Sequence, residues 1–172
     1  MAPGRTYVAL VIHEVSGDIL LTSAHAIAHG VAPNDPFDRG LALALRERWP
    51  AMYKDLRHYW HNTHADPGTA WAWGTAGGPR IVALFTQDPG PAPHGHPGPA
   101  RLEHVNHALK ALGQLVESEQ YESLALPRLA TGVGRLDWKD VRPLVDHHLG
   151  GLKIPVYLYS TFHSGERAKE PS

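Results

Sequence analysis

No cysteine occurs among the 172 residues. Disulfides, thiolate nucleophiles and cysteine-ligated zinc or iron–sulfur centres are therefore excluded. An excess of charge is missing too: 16 Lys and Arg stand against 17 Asp and Glu. No global field draws in an anionic membrane or a nucleic acid, and an RNA or nucleotide module with a basic groove is the poorest of the readings considered. No apolar run is long enough to span a bilayer. Met1 to Thr6 lacks the apolar core of a signal peptide, so a cytoplasmic protein is the expectation. No internal repeat is visible. The 13 histidines include no His-Glu-x-x-His and no His pair with a well-spaced carboxylate, so no metal and no cofactor are expected. His94 and His96 form the tight loop pair, His147 and His148 should point apart on a helix, and His25 and His29 should share one strand face.

What is present suits one domain with a proper core, residues 1–172, with the core over about 7–160. Strand patterns run over Tyr7–His13, Ala24–Ala32, Thr69–Thr75, Arg80–Phe85, Leu124–Leu126 and Lys153–Ser160. Between the first two lies a short apolar run, Ile19 to Leu21. Helical periodicity marks Leu41–Trp49, Met52–His61, Ala100–Glu117 and Trp138–Leu149. Trp71 and Trp73 alternate with alanine and suit sheet cover better than base stacking. Asp88 to Pro99 holds five prolines and three glycines and must be a loop. Thr161 to Ser172 is polar and reads as a flexible tail. Strands alternating with helices imply a mostly parallel sheet flanked by helices, whose ligand site lies beyond the carboxyl ends of strands.

The informative stretch is Leu126-Pro-Arg-Leu-Ala-Thr-Gly-Val-Gly-Arg-Leu-Asp-Trp138. Strand, glycine turn and helix in that order can present backbone N–H groups to an anion, or can be an ordinary βα turn. Gly40, at the start of a helix, offers a second set of outward N–H groups. Asp18 reads as a turn residue or as an acceptor for an exocyclic amine. Asp137 stands where a helix N-cap belongs.

These elements together resemble the macrodomain family. The opening Val15-Ser-Gly-Asp-Ile-Leu20, the run Ala28-His-Gly-Val-Ala32, the run Asp38-Arg-Gly-Leu-Ala42 and the glycine turn occur in the family's order. The last is most similar to the terminal ADP-ribose protein glycohydrolase branch, which removes ADP-ribose from acidic side chains. The resemblance implies a three-layer α/β/α sandwich with a mixed, mostly parallel sheet. It implies ADP-ribose and ADP-ribosylated proteins as partners. It implies that Asp18 accepts from the adenine amine beside Ile19, that Thr131, Gly132, Val133, Gly134 and Arg135 wrap the diphosphate, and that Arg39 and Gly40 border the proximal ribose. Tyr159, or else Tyr157, would contact the adenine or distal ribose.

The chain also departs from that branch. The branch has a lysine after the strand equivalent to Ile81–Phe85; here Thr86-Gln87-Asp88 follows. The branch has an aspartate in the turn; here Gly134 stands there. Hydrolysis of glutamate- and aspartate-linked ADP-ribose without a lysine adduct is the expectation, with Asp137, Gln87 and Asp88 as candidates for holding a water. A non-catalytic ADP-ribose reader is the alternative.

Overall fold

Strands buried on both faces need apolar residues at every position rather than at alternate ones. Ala26–Val31 and Arg80–Phe85 have that composition apart from His29 and Arg80, and both are almost entirely buried. The computed structural model describes residues 12–91 and 96–172. Its strands are β1 (Ile12–Gly17), β2 (Ala26–Val31), β3 (Ala70–Gly74), β4 (Arg80–Phe85), β5 (Leu124–Pro127) and β6 (Val156–Phe162). They form one sheet in the order β1-β6-β5-β2-β4-β3. All pairs are parallel except β3 with β4. The helices are α1 (Gly40–Arg48), α2 (Pro50–Thr63), α3 (Leu102–Ser118) and α4 (Trp138–Leu149).

The period of two along each strand sorts side chains into two cores. Ala26, Ala28, Val82, Leu84, Leu124 and Leu126 meet Val105, Leu109 and Leu112 of α3 and Val141 and Val145 of α4. Ile27, Val31, Ile81, Ala83 and Phe85 face the other way, onto Leu45 of α1 and Met52 and Leu56 of α2. The result is a three-layer α/β/α sandwich with a mixed, mostly parallel sheet, as the motifs imply. Trp71 stacks on Tyr59 at 5.8 Å and Trp73 donates to Asp55 at 2.8 Å, so both cover an edge strand. Among the described residues no helix is long and apolar enough to cross a membrane.

Several sequence expectations need correction. Of the strand expected over Tyr7–His13, residues 7–11 lie outside the described residues, and β1 continues to Gly17. The run Ile19–Leu21 is a 3₁₀ turn, because Asp18 caps it by accepting the Leu20 N–H at 3.0 Å. The last strand lies about two residues later than its apolar pattern, because parallel pairing with β1 carries it through Phe162. His25 precedes β2, and its ring meets Tyr121 of the first core, whereas His29 meets Phe37 of the second. They do not share a face. The His147 and His148 rings approach to 4.8 Å edge to face rather than pointing apart.

The segment after β6 is not a free tail either. Tyr157 donates to the Pro171 carbonyl at 2.6 Å, Tyr159 donates to Glu170 at 2.8 Å, and Asp18 donates its N–H to the Glu166 carbonyl at 2.7 Å. Most of these residues are exposed, yet the bonds through Glu166, Glu170 and Pro171 hold the segment against the sheet.

Candidate functional site

Five parallel strands release their chains at one end of the sheet, and a cavity of about 220 Å³ opens there. Its floor is His29, Gly30 and Val31 at the end of β2. Asp35 and residues 38–42 make one wall, and residues 127–130 and 132–134 make the other. Gln87 and Pro97 close it from the side of β4.

The first wall is the start of α1. Arg39 is its N-cap and makes no side-chain capping bond. The first intrahelical bond runs from Leu43 N–H to the Arg39 carbonyl at 3.2 Å. Gly40, Leu41 and Ala42 thus bring the unsatisfied N–H groups of a helix N-terminus to the cavity. Gly40 is in the left-handed region, φ +59°, which glycine adopts without strain.

The second wall is the turn after β5. It is fixed by Arg135 N–H to the Gly132 carbonyl at 3.1 Å, Leu136 N–H to the Ala130 carbonyl at 2.9 Å and Ala100 N–H to the Gly134 carbonyl at 3.2 Å. The left-handed residues of this turn are Ala130 and Arg135, not the glycines, so positive φ is not why Gly132 and Gly134 are present. A Cβ on Gly132 would meet nothing within 4 Å, whereas one on Gly134 would lie 2.7 Å from the Ala130 carbonyl and 2.8 Å from Ala100 Cβ. One glycine leaves space in the cavity; the other permits close packing. The N–H groups of Gly132, Val133 and Gly134 have no acceptor among the described residues. Thr131 and Arg135 flank this wall without lining the cavity, and the Thr131 hydroxyl donates to the Arg128 carbonyl at 3.2 Å.

Of the three water-holding candidates, only Gln87 lines the cavity. It is 4% exposed and donates to the Gly98 carbonyl at 3.0 Å. Asp88 accepts from Arg101 Nε at 2.7 Å and pairs with His104 Nε2 at 2.9 Å. Burial alone would raise its pKa, but hydrogen bonds from Arg101 and His104 outweigh it and hold the carboxyl below its usual range. Its place is the base of the proline-rich loop. Asp137 caps α4, accepting the Lys139 N–H at 3.1 Å, and its exposed side chain pairs with Lys139 Nζ at 3.7 Å. Neither Asp88 nor Asp137 lines the cavity.

Asp18, Ile19 and Tyr159 come together beside the cavity but do not line it. They are 6%, 4% and 6% exposed. Asp18 accepts the Gly165 N–H at 2.9 Å as well as that of Leu20.

The sequence reading missed two titratable groups of the site. Asp35 lines the cavity and accepts N–H groups from Phe37 at 2.8 Å and Ala32 at 3.4 Å. Burial raises its pKa more than these bonds lower it. Its signal was an acidic residue directly after a buried strand, obscured by the turn-forming Pro33, Asn34 and Pro36 around it. His29 is fully buried against Phe37, its pKa lowered by burial to about 4, and its Nε2 has no partner among the described residues. Its ring is therefore neutral at pH 7. Among the described residues no three ligating side chains converge to hold a metal ion.

The family model named Macro domain matches residues 34–145, which takes in both walls of the cavity. A Mycobacterium tuberculosis protein named DNA ADP-ribosyl glycohydrolase is 26% identical over 128 residues, 73% of this chain and 35% of that protein. A Thermus aquaticus protein of the same name is 25% identical over 148 residues, 84% of this chain and 40% of that protein. The chain thus spans little more than a third of the length of such relatives. Among solved structures, the macrodomain of Thermus aquaticus DarG superposes with a TM-score of 0.76 at 24% identity, covering 87% of this chain and 97% of that one. Thermosipho africanus DarTG in complex with ADP-ribose gives 0.76 at 19% identity, covering 91% and 42%. At these identities the superpositions show the fold.

Proposed function

This chain belongs to the macro domain family, and from that premise we propose that it binds ADP-ribose in the cavity between α1 and the β5–α4 turn, and hydrolyses ADP-ribose from acidic side chains of modified proteins. The observation that carries the reading is the pair of facing walls, each offering unpartnered N–H groups: the first turn of α1 and Gly132–Gly134. Helix N-termini and N–H-lined turns attract phosphate without a net positive charge. A ligand carrying a diphosphate satisfies both walls at once.

Among the described residues no lysine lines the cavity, and Gln87 occupies the corresponding side of β4. The chemistry that remains is attack by water on an ester that leaves as a carboxylate, a good leaving group, so positioning supplies much of what is needed. Asp35 is the half-buried carboxylate of the cavity wall and the group best placed to take a proton from that water; Gln87 contributes an amide to orient it. The water oxygen bonds to the ribose carbon that carries the ester as that carbon's bond to the ester oxygen breaks; Asp35 takes the water proton and passes it to solvent, and free ADP-ribose and the protein carboxylate result.

A second substrate, ADP-ribose on DNA, is favoured by the names of the relatives and by Arg39 and Arg128, which line the cavity mouth and are exposed. Incubation with glutamate-linked ADP-ribosylated protein and with ADP-ribosylated oligonucleotide, each followed for release of free ADP-ribose, separates the two. Binding of ADP-ribose with release from neither makes the chain a reader. No binding in calorimetry removes the reading altogether.

A further inference from the structure

Residues 163–171 leave β6, turn at Gly165 (φ +72°) and run back beside the 3₁₀ turn. They cover the part of the sheet that α1 and α2 do not reach. Two contacts define their path. At Gly165 the backbone N–H donates to Asp18 Oδ2 at 2.9 Å, while Asp18 donates its own N–H to the Glu166 carbonyl at 2.7 Å. At Glu170 the carboxylate accepts the Tyr159 hydroxyl at 2.8 Å, the Ser23 N–H at 2.8 Å and the Thr22 hydroxyl. Between them Ala168 sits against Gly17, close enough that a Cβ there would meet its backbone at 2.8 Å.

The residues engaged, Asp18 and Tyr159, are those assigned to the adenine end of ADP-ribose. An N–H donated to one carboxylate oxygen with a neighbouring N–H–carbonyl bond is the pattern an aminopurine edge would make. With the segment seated, the cavity stops short of both residues, and its 220 Å³ falls below the roughly 300–1,000 Å³ usual for a ligand of that size. We propose that residues 163–171 are a specificity-determining element that occupies the adenine end: the folded chain takes the ribose and diphosphate of its ligand, and the base reaches Asp18 only when this segment is displaced. The proposal rests on the ADP-ribose reading above.

The test uses the full chain, with and without the paired substitutions Gly165→Pro and Glu170→Ala. Proline removes the N–H given to Asp18 and cannot adopt the positive φ; alanine removes the acceptor for Tyr159. Two ligands are compared by calorimetry: ADP-ribose and its hypoxanthine analogue, which lacks the exocyclic amine. The wild type should bind the two within twofold, and the double variant should prefer ADP-ribose by tenfold or more. An adenine preference already present in the wild type, or no gain in a folded variant, overturns the proposal. A segment that only covers the sheet lowers the melting temperature without changing the ratio. Hydrogen exchange on the wild type guards against a variant that does not fold: saturating ADP-ribose should leave the Gly165 amide, bonded to Asp18, protected, and its deprotection by ADP-ribose overturns the proposal. If neither ligand binds either protein, the ADP-ribose reading itself has failed, which is a different result.

Discussion

The Asp35 carboxylate accepts the Phe37 N–H at 2.8 Å from within the wall of the cavity. Burial raises its pKa above the ordinary carboxylate value. Between the ordinary and the raised value the native state binds more protons than the unfolded chain, so stability falls as pH rises through that window and stays lowered above it. Asp35→Asn cannot titrate. It should melt with the wild type near pH 3.5 and above it at pH 7, where ionised Asp35 carries its full cost. If Asp35 takes the proton from water, the same variant should release ADP-ribose at least a hundredfold more slowly, the usual scale for a general base, while binding changes little. Thermal scans at the two pH values and a single-turnover assay check both halves.

His29 predicts the opposite slope. Its pKa is lowered from 6.5 to about 4 by burial, so the unfolded chain binds the extra proton. Stability should be lost as pH falls from about 6.5 to about 4, by of order 3 kcal/mol for a shift of that size. His29→Leu should lose less over that range, because nothing buried then needs to stay neutral. Denaturant unfolding at pH 7 and pH 4.5 measures the difference.

The two glycines of the turn should behave differently. Gly132→Glu puts a side chain into open space, so the fold should persist with normal circular dichroism. Its carboxylate would lie among the N–H donors and should abolish ADP-ribose binding by calorimetry. Gly134→Ala forces a Cβ against Ala130 and Ala100 and should cost about 1–3 kcal/mol of stability, the scale for overpacking. A stable Gly134→Ala with a lost ligand would reverse the assignment of the two positions.

Asp137 caps α4 from outside the cavity. Asp137→Ala should therefore cost about 1 kcal/mol of stability, as N-cap loss does, and leave turnover unchanged. A turnover defect with the expected melting temperature would return it to the chemistry.

The fold was legible because its signals are local. β2 and β4 carry apolar residues at nearly every position, α3 carries an unbroken stripe through Val105, Leu109 and Leu112, and Asp137 marks the start of α4. The walls of the cavity were legible for the same reason, as Gly40 and Gly132 announce themselves in the chain. Asp35 was not, because its effect comes from burial under elements distant in sequence. The docking of residues 163–171 was not legible either. It depends on the bond that Gly165 donates to Asp18 and on those that Glu170 accepts from Thr22 and Ser23, residues about 150 positions away, and a polar stretch that bonds looks the same in sequence as one that does not.

Gly134 also constrains the routes by which this sequence can change. The Ala130 carbonyl and Ala100 fill the space that any side chain at this place would need. A carboxylate cannot be accommodated at this position by exchanging Gly134 alone. Ala100, at the base of the proline-rich loop, and the turn at Ala130 would have to rearrange first, and neither step is favoured while Gly134 remains.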